Sequence, residues 1–199
     1  MLLVKYGKWR FCMKLYAIFA NDKITGTTYK LFNQAIESFE NQGYSIDRLN
    51  LYEREKEIPF FKHDQKTMEN NPFYLENQKR FLDADALLIV FPLYWYSVPG
   101  ILKTWLDMIN AWAYKYEHGM YASPLHKIKK VFIIYAAMQD QQHLDKELHN
   151  PVEHQLAETC RFIGINEIYT YLVDSVTKLQ ATDIEKHLQN INNFCLSCR

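Results

Sequence analysis

The run Asp85-Ala86-Leu87-Leu88-Ile89-Val90-Phe91 constrains the fold more than any other stretch of this chain. Consecutive side chains of a strand point to opposite faces, so an unbroken apolar run requires cover on both sides, as a central strand of a parallel sheet has. Residues 15–20, 131–136 and 167–173 read as further strands, and 45–51 alternates polar and apolar like an outer one. Helical spacing fills the intervals. Leu31, Phe32, Ala35, Ile36 and Phe39 share a face, with Gly43 placed for a left-handed C-terminal cap. A second helix runs from about residue 72 to 82, and a third begins near Ser97 and Pro99 and carries Leu102, Trp105, Ile109 and Trp112 inward. A fourth contains Leu156, Cys160 and Phe162 and ends at Gly164, and Ile184, Leu188 and Ile191 mark the last. Five strands alternating with helices predict an α/β fold with a doubly wound parallel sheet and helices on both faces.

With 199 residues, the chain is long enough to bury a full core as one domain, here residues 13–199, with 1–12 as an N-terminal extension of no assigned role. Lys plus Arg equals Asp plus Glu at 23 each, so no long-range field attracts nucleic acid or an anionic membrane. The longest apolar run, 86–96, is too short to cross a bilayer and is interrupted by Pro92. The first residues lack the pattern of a secretory signal, and a cytoplasmic protein without membrane insertion is expected. Cysteines at 12, 160, 195 and 198 are too few for a disulfide framework. Cys195-Leu196-Ser197-Cys198 has redox-motif spacing, but it lies at the chain's end rather than at a helix start and reads as a fraying tail. His63, His118, His126, His154 and His187 show no paired ligand spacing, so no metal is expected.

Pro92 ends the central strand and releases Tyr94, Trp95 and Tyr96, at the carboxyl end where open α/β sheets bind ligands. Their flat faces and polar tips suit stacking on a fused ring, and their main-chain N–H groups suit its edge; the alternative is a surface cluster packing on a neighbouring subunit or helix. In the first loop, Thr25, Thr27 and Thr28 stand with Gly26 at a helix start, where a phosphate is favoured. The alternative there is that Thr27 or Thr28 only caps the helix. The six glycines are scattered and contain no Gly-x-Gly, which argues against the classical dinucleotide fingerprint. A flavodoxin-like sheet of order 2-1-3-4-5, with its ligand between strands one and three, fits better. Lys103 and Asp107, four apart, predict a local ion pair on a solvated face.

Phe91-Pro92-Leu93-Tyr94-Trp95-Tyr96-Ser97-Val98-Pro99-Gly100-Ile101-Leu102-Lys103-Thr104-Trp105-Leu106-Asp107, together with Trp112-Ala113-Tyr114-Lys115-Tyr116, resembles the NAD(P)H:quinone oxidoreductase family. That family includes the ancillary oxidoreductases of glutathione-gated potassium efflux systems. The resemblance implies a bound flavin, FMN or FAD, with NAD(P)H as co-substrate, in a homodimer. It implies that Pro92, Leu93, Tyr94, Trp95 and Tyr96 line the flavin, with Trp95 and Tyr96 nearest the ring. Asn21 stands where relatives often have a histidine by the pyrophosphate, and Thr25, Thr27 and Thr28 hold phosphate. Tyr114 and Tyr116 match tyrosines that relatives contribute across a dimer interface to the substrate pocket.

The chain departs from the family after strand four, where Ala136-Ala137-Met138-Gln139 replaces a Thr-Thr-Gly-Gly-like loop at the flavin. Ala136, Ala137 and Met138 keep main-chain N–H groups there and lose the hydroxyl and the close glycine approach. The tyrosine and histidine of the relatives' proton relay fall on Leu144 and Asn150, leaving His143 and His149, each one residue away, as alternative donors or as exposed loop histidines. The implied activity passes a hydride from NAD(P)H through flavin to a quinone-like acceptor, by a ping-pong mechanism. A regulatory ancillary subunit of a potassium efflux transporter, with little or no turnover, is the alternative. A single-electron flavodoxin is a further one, but such carriers are typically acidic and this chain is neutral.

Overall fold

Residues 15–20, 86–91 and 131–137 are each buried without a break, and they bring three strands side by side at the centre of the protein. The computed structural model describes residues 3–5, 8–10, 13–62, 65–117 and 120–197. Its main sheet has five strands: β1 (Lys14–Phe19), β2 (Ser45–Asn50), β3 (Ala86–Pro92), β4 (Lys130–Ala136) and β5 (Glu167–Val173). All pair in parallel in the order β2-β1-β3-β4-β5, the order expected from the sequence.

Five helices connect and flank the strands: α1 (Thr27–Asn41), α2 (Pro72–Asp83), α3 (Gly100–Ala113), α4 (Pro151–Phe162) and α5 (Ala181–Ser197). Strand alternation splits the core in two. Tyr16, Ile18, Leu87, Ile89, Phe91, Ile133 and Tyr135 face α2, α3 and α4, where Phe81, Trp105, Trp112 and Leu156 meet them. Leu15, Ala17, Phe19, Leu88, Val90 and Phe132 face α1 and α5, against Leu31, Phe32, Ile36, Phe39 and Ile191. Each large apolar side chain buried this way contributes about 1.5–3 kcal/mol.

The helix ends follow from local chemistry. Both α2 and α4 open with Asn-Pro: Asn71 Oδ1 accepts the Tyr74 N–H at 3.0 Å, and Asn150 Oδ1 accepts that of Glu153 at 3.4 Å, while the proline has no N–H to leave unpaired. Beyond α1, Gly43 takes φ +90° and fulfils its expected role.

Several expectations need correcting. The Pro99 cap leads directly into α3 at Gly100, and Ser97 closes a tight turn instead of capping. Cys195 is buried inside α5, because that helix runs on to Ser197 and packs against α1; it is no fraying tail. Between β2 and α2, Tyr52–Arg54 forms a 3₁₀ turn and Gln65–Glu69 a short helix. Two antiparallel hairpins lie apart from the main sheet, Leu3–Lys5 with Lys8–Arg10 and Tyr114–Glu117 with Met120–Pro124. Cys12, Cys198, His63 and His118 lie outside the described residues. No helix of the described residues is long and apolar enough to cross a membrane.

Candidate functional site

The carboxyl ends of β1, β3 and β4 carry the sequence-marked residues to one edge of the sheet. Leu93 donates its N–H to the Ala136 carbonyl at 2.8 Å, extending the β3–β4 pairing by one step beyond Pro92. The chain then reverses within two residues. Tyr94 and Ser97 exchange both main-chain hydrogen bonds at 3.0 Å, and between them Trp95 (φ +49°) and Tyr96 (φ +59°) are both left-handed.

Left-handed backbone at both central positions is the pattern of a type I′ turn, which favours Asn-Gly. For residues with a Cβ it costs about 1–2 kcal/mol each. The local sequence runs against its own preference here, as functional sites do. The turn holds Trp95 95% exposed, with Tyr94 at 43% and Tyr96 at 37%. Its ladder uses the N–H groups of Tyr94 and Ser97, so those of Trp95 and Tyr96 at the tip take no part in it.

The first loop meets this turn. Asn21 is buried, and its Oδ1 accepts the Tyr94 hydroxyl at 3.5 Å and the Lys23 N–H at 3.4 Å. Burial, with the nearby Asp22 carboxylate, raises the Tyr94 phenol above its ordinary range, and burial followed by the charges of Tyr94 and Asp22 does the same to Tyr52. Both phenols therefore keep their protons at neutral pH and remain donors. Tyr52, in the turn after β2, was not singled out in the sequence; its place at the carboxyl end of an outer strand was the available signal.

At the start of α1 the cap is Gly26, with no side-chain cap hydrogen bond, so Thr27 and Thr28 occupy the first two helical positions and do not serve as the cap. Thr28 is buried, Thr27 half-buried and Thr25 exposed. Gly26 is extended (φ −83°), and a Cβ there would meet only the Lys23 Cβ, at 3.9 Å. The chain's own packing therefore makes no use of the missing side chain, which leaves a cradle at the positive end of the helix.

After β4, Ala136 and Ala137 are buried and Met138 is 63% exposed. The Ala137 N–H donates to the Val173 carbonyl at 2.8 Å, and the Val176 and Ser175 N–H groups return to the Ala137 and Gln139 carbonyls at 2.9 and 3.0 Å. One of the main-chain donors expected in this loop is thus already committed within the chain.

Of the two histidines, His143 stands near the aromatic turn, its ring 6.2 Å from that of Tyr96, and its main-chain N–H donates to Asp140 Oδ1 at 2.8 Å. His149 is exposed at φ +52°, Leu144 is buried, and Asn150 caps α4. Tyr114 lies at the opposite, amino-terminal edge of the sheet, where its hydroxyl donates to the Phe162 carbonyl at 2.6 Å at the end of α4. Tyr116 pairs with Tyr121 in the hairpin ladder, and its side chain lies outside the described residues.

Exposed aromatic faces, main-chain N–H groups outside the ladder at the turn tip, and hydroxyls with an open glycine position at a helix start fit a flat ring carrying a phosphate-bearing tail. The flavodoxin-like fold family matches residues 13–194. The chain belongs to this family. NAD(P)H dehydrogenase [quinone] 1 of Cavia porcellus is 24% identical over 207 residues, 87% of this chain and 75% of that protein. The resemblance to the NAD(P)H:quinone oxidoreductases drawn from residues 91–116 is borne out by relatives of that name. A further curated relative, 28% identical, is spanned over only 47% of its length.

Among solved structures, the NAD(P)H:quinone oxidoreductase from Methanothermobacter marburgensis superposes with a TM-score of 0.78 at 17% identity, over 93% of this chain and 96% of that one. The FMN-dependent NADH-azoreductase from Bacillus anthracis str. Ames Ancestor, in complex with FMN, gives 0.75 at 18%, over 93% and 98%. At these identities the structures bear on the fold of this flavodoxin-like protein.

Proposed function

We propose that this flavodoxin-like protein is a flavin-dependent NAD(P)H oxidoreductase that reduces a quinone-like acceptor. The observation that carries the reading is the left-handed Trp95–Tyr96 turn, which projects an indole into solvent at the end of β3, next to the loop that leads into α1. A bound flavin supplies hydride transfer from NAD(P)H and onward to the acceptor. The chain binds, orients and excludes water. Thr25, Thr27 and Thr28 hold the phosphate with the first N–H groups of α1, and Asn21 and Tyr94 fix the two loops against each other. The N–H groups of Trp95 and Tyr96 bond the ring edge, while Pro92, Leu93, Ala136, Ala137 and Met138 form the wall behind it. His143, beside Tyr96, donates a proton to the reduced acceptor from a ring nitrogen.

FMN is the proposed form. A structural neighbour of the same fold carries FMN. A homodimer is proposed because Tyr114 stands at the opposite sheet edge, so that it and Tyr116 serve a substrate pocket only from a second copy. Donor and acceptor use the same ring face in turn, giving ping-pong kinetics, in the cytoplasm.

The test is the absorbance spectrum of the purified protein, identification of the flavin released on denaturation, and initial rates with varied NAD(P)H and quinone. Stoichiometric FMN and parallel double-reciprocal lines are expected. A colourless protein that takes up neither FMN nor FAD would end the reading. Commitment of the Ala137 N–H to Val173, together with the lost hydroxyls of that loop, favours one other reading: an ancillary subunit of a potassium efflux transporter. Tight flavin binding with negligible NAD(P)H oxidation across several quinones selects it.

A further inference from the structure

Tyr135 lies one residue before the end of β4, buried, with its ring stacked on Phe91 at 5.8 Å between centroids and 12° between planes. Its hydroxyl joins the sheet to the segment that carries His143. A hydroxyl has one hydrogen to give and lone pairs to accept with. Here it donates to Glu153 Oε1 at 3.0 Å and accepts from Asn150 Nδ2 at 2.9 Å. Asn150 extends the connection, because its Nδ2 also reaches Asp145 Oδ1 at 3.4 Å and its main-chain N–H donates to the Leu144 carbonyl at 2.7 Å. Burial raises the Tyr135 phenol far above its ordinary range, so the proton stays on it at any working pH.

The segment so held is costly by itself. His143–Glu147 is a π-helical turn, and His149 and Asn150 follow in succession with left-handed backbone. Both are conformations that persist where surrounding contacts over-determine them. The Leu144 side chain is buried on one side of this turn, and on the other the His143 ring stands 6.2 Å from Tyr96.

We propose that Tyr135 is a positioning residue: through Asn150 and Glu153 its hydroxyl fastens the 143–150 segment to β4 and so sets where the His143 ring stands against Tyr96. The consequence for turnover rests on the function proposed above; the fastening itself rests on the geometry alone.

Tyr135→Phe removes the hydroxyl and keeps the ring on Phe91. Amide hydrogen exchange needs neither flavin nor substrate, and it is expected to quicken about tenfold across 143–150, with β1 and β3 amides unchanged. Unaltered exchange in that segment overturns the proposal. A second pair keeps the test open should Tyr135→Phe fail to fold. Glu153→Gln keeps an acceptor and should exchange like the parent, whereas Glu153→Leu should resemble Tyr135→Phe; equal behaviour of the two refutes the hydroxyl's role. In turnover, Tyr135→Phe should lower acceptor kcat/KM about tenfold with the Kd for FMN unchanged, and it should add nothing in a His143→Ala background. Additive losses refute the link to His143. A protein that takes up no flavin defeats the proposed function, and the exchange result still decides the fastening.

Discussion

Tyr16 donates its hydroxyl hydrogen to Asn77 Oδ1 at 2.5 Å, from the middle of β1 to the inner face of α2. The same oxygen accepts Trp105 Nε1 from α3 at 3.3 Å, and Asn77 Nδ2 is spent on the Phe73 carbonyl at 2.8 Å. Above the Tyr16 ring, 4.7 Å from its centroid, lies the Arg80 guanidinium, which also binds Asp47 Oδ1 at 2.6 Å. One buried amide therefore satisfies donors from two other elements, and a cation covers the ring beside it.

Asn77→Leu leaves two buried donors without partners, and each such loss costs about 1–3 kcal/mol. Urea unfolding of this variant should show a loss of about 2–6 kcal/mol with unchanged m. Tyr16→Phe leaves Asn77 Oδ1 with its Trp105 bond and should cost only about 1 kcal/mol. Because the two residues share a network, the double variant should cost less than the sum of the singles. Strict additivity would show that the contact carries no energy of its own.

Tyr96 sits at φ +59°, where a residue without a Cβ pays nothing. Tyr96→Gly should therefore raise the stability of the flavin-free protein by about 1 kcal/mol. It should at the same time weaken FMN binding, since the ring that the strain serves is gone. Thermal unfolding without flavin and a fluorescence titration with FMN read the two effects separately. A destabilised flavin-free variant would mean that the turn holds Tyr96 without strain.

His126 is half-buried, with Nε2 donating to the Ile163 carbonyl at 2.7 Å and Nδ1 accepting the Ile128 N–H at 3.2 Å. Burial, outweighing the bond to Ile163, holds its pKa below the ordinary histidine value. The unfolded chain takes up a proton at about pH 6.5 while the folded ring stays neutral, so stability falls as pH drops from about 7 through that window. It is fully present above the unfolded value and reaches its floor below the folded one. His126→Gln should flatten this part of the stability profile, measured by denaturant unfolding between pH 5 and 8. An unchanged slope would assign the acid sensitivity to other groups.

Gly43 and Gly164 both have φ near +90°, yet only one of them is crowded. A Cβ on Gly164 would stand 2.8 Å from Pro124 Cγ, while one on Gly43 meets nothing within 4 Å. Gly43→Ala should cost only the left-handed backbone penalty, about 1 kcal/mol, and Gly164→Ala should cost measurably more. Calorimetric Tm values for the two variants make the comparison. Equal shifts would show that the Tyr114–Pro124 hairpin yields freely to the added methyl.

The main sheet was legible in the sequence because its signals are local and redundant. Consecutive apolar residues at 86–91 mark a strand covered on both faces, and the 3.6-residue spacing of Leu31, Ala35 and Phe39 marks its neighbouring helix. Hairpin 114–124 was missed beside the stronger helical stripe before it, although Tyr-Lys-Tyr-Glu at 114–117 alternates as a strand does and Gly119 follows. Contacts between loops have no such local signature. Nothing near position 94 names Asn21 as the partner of its hydroxyl, and the meeting of Tyr135 with Asn150 and Glu153 needs β4 and α4 already packed. The Trp95–Tyr96 turn was hidden for a different reason: turn chemistry predicts Asn or Gly there, and two aromatics oppose it.

Tyr114 and His126 each bond a main-chain carbonyl at the end of α4, of Phe162 and Ile163, and Gly164 fits against Pro124 beside them. These contacts seal the sheet on the side away from the aromatic turn. The molecule is thereby two-ended: its foot is locked by contacts within the chain, and its crown carries the exposed aromatic turn. Loops at the crown can therefore be exchanged without loosening the packing at the foot.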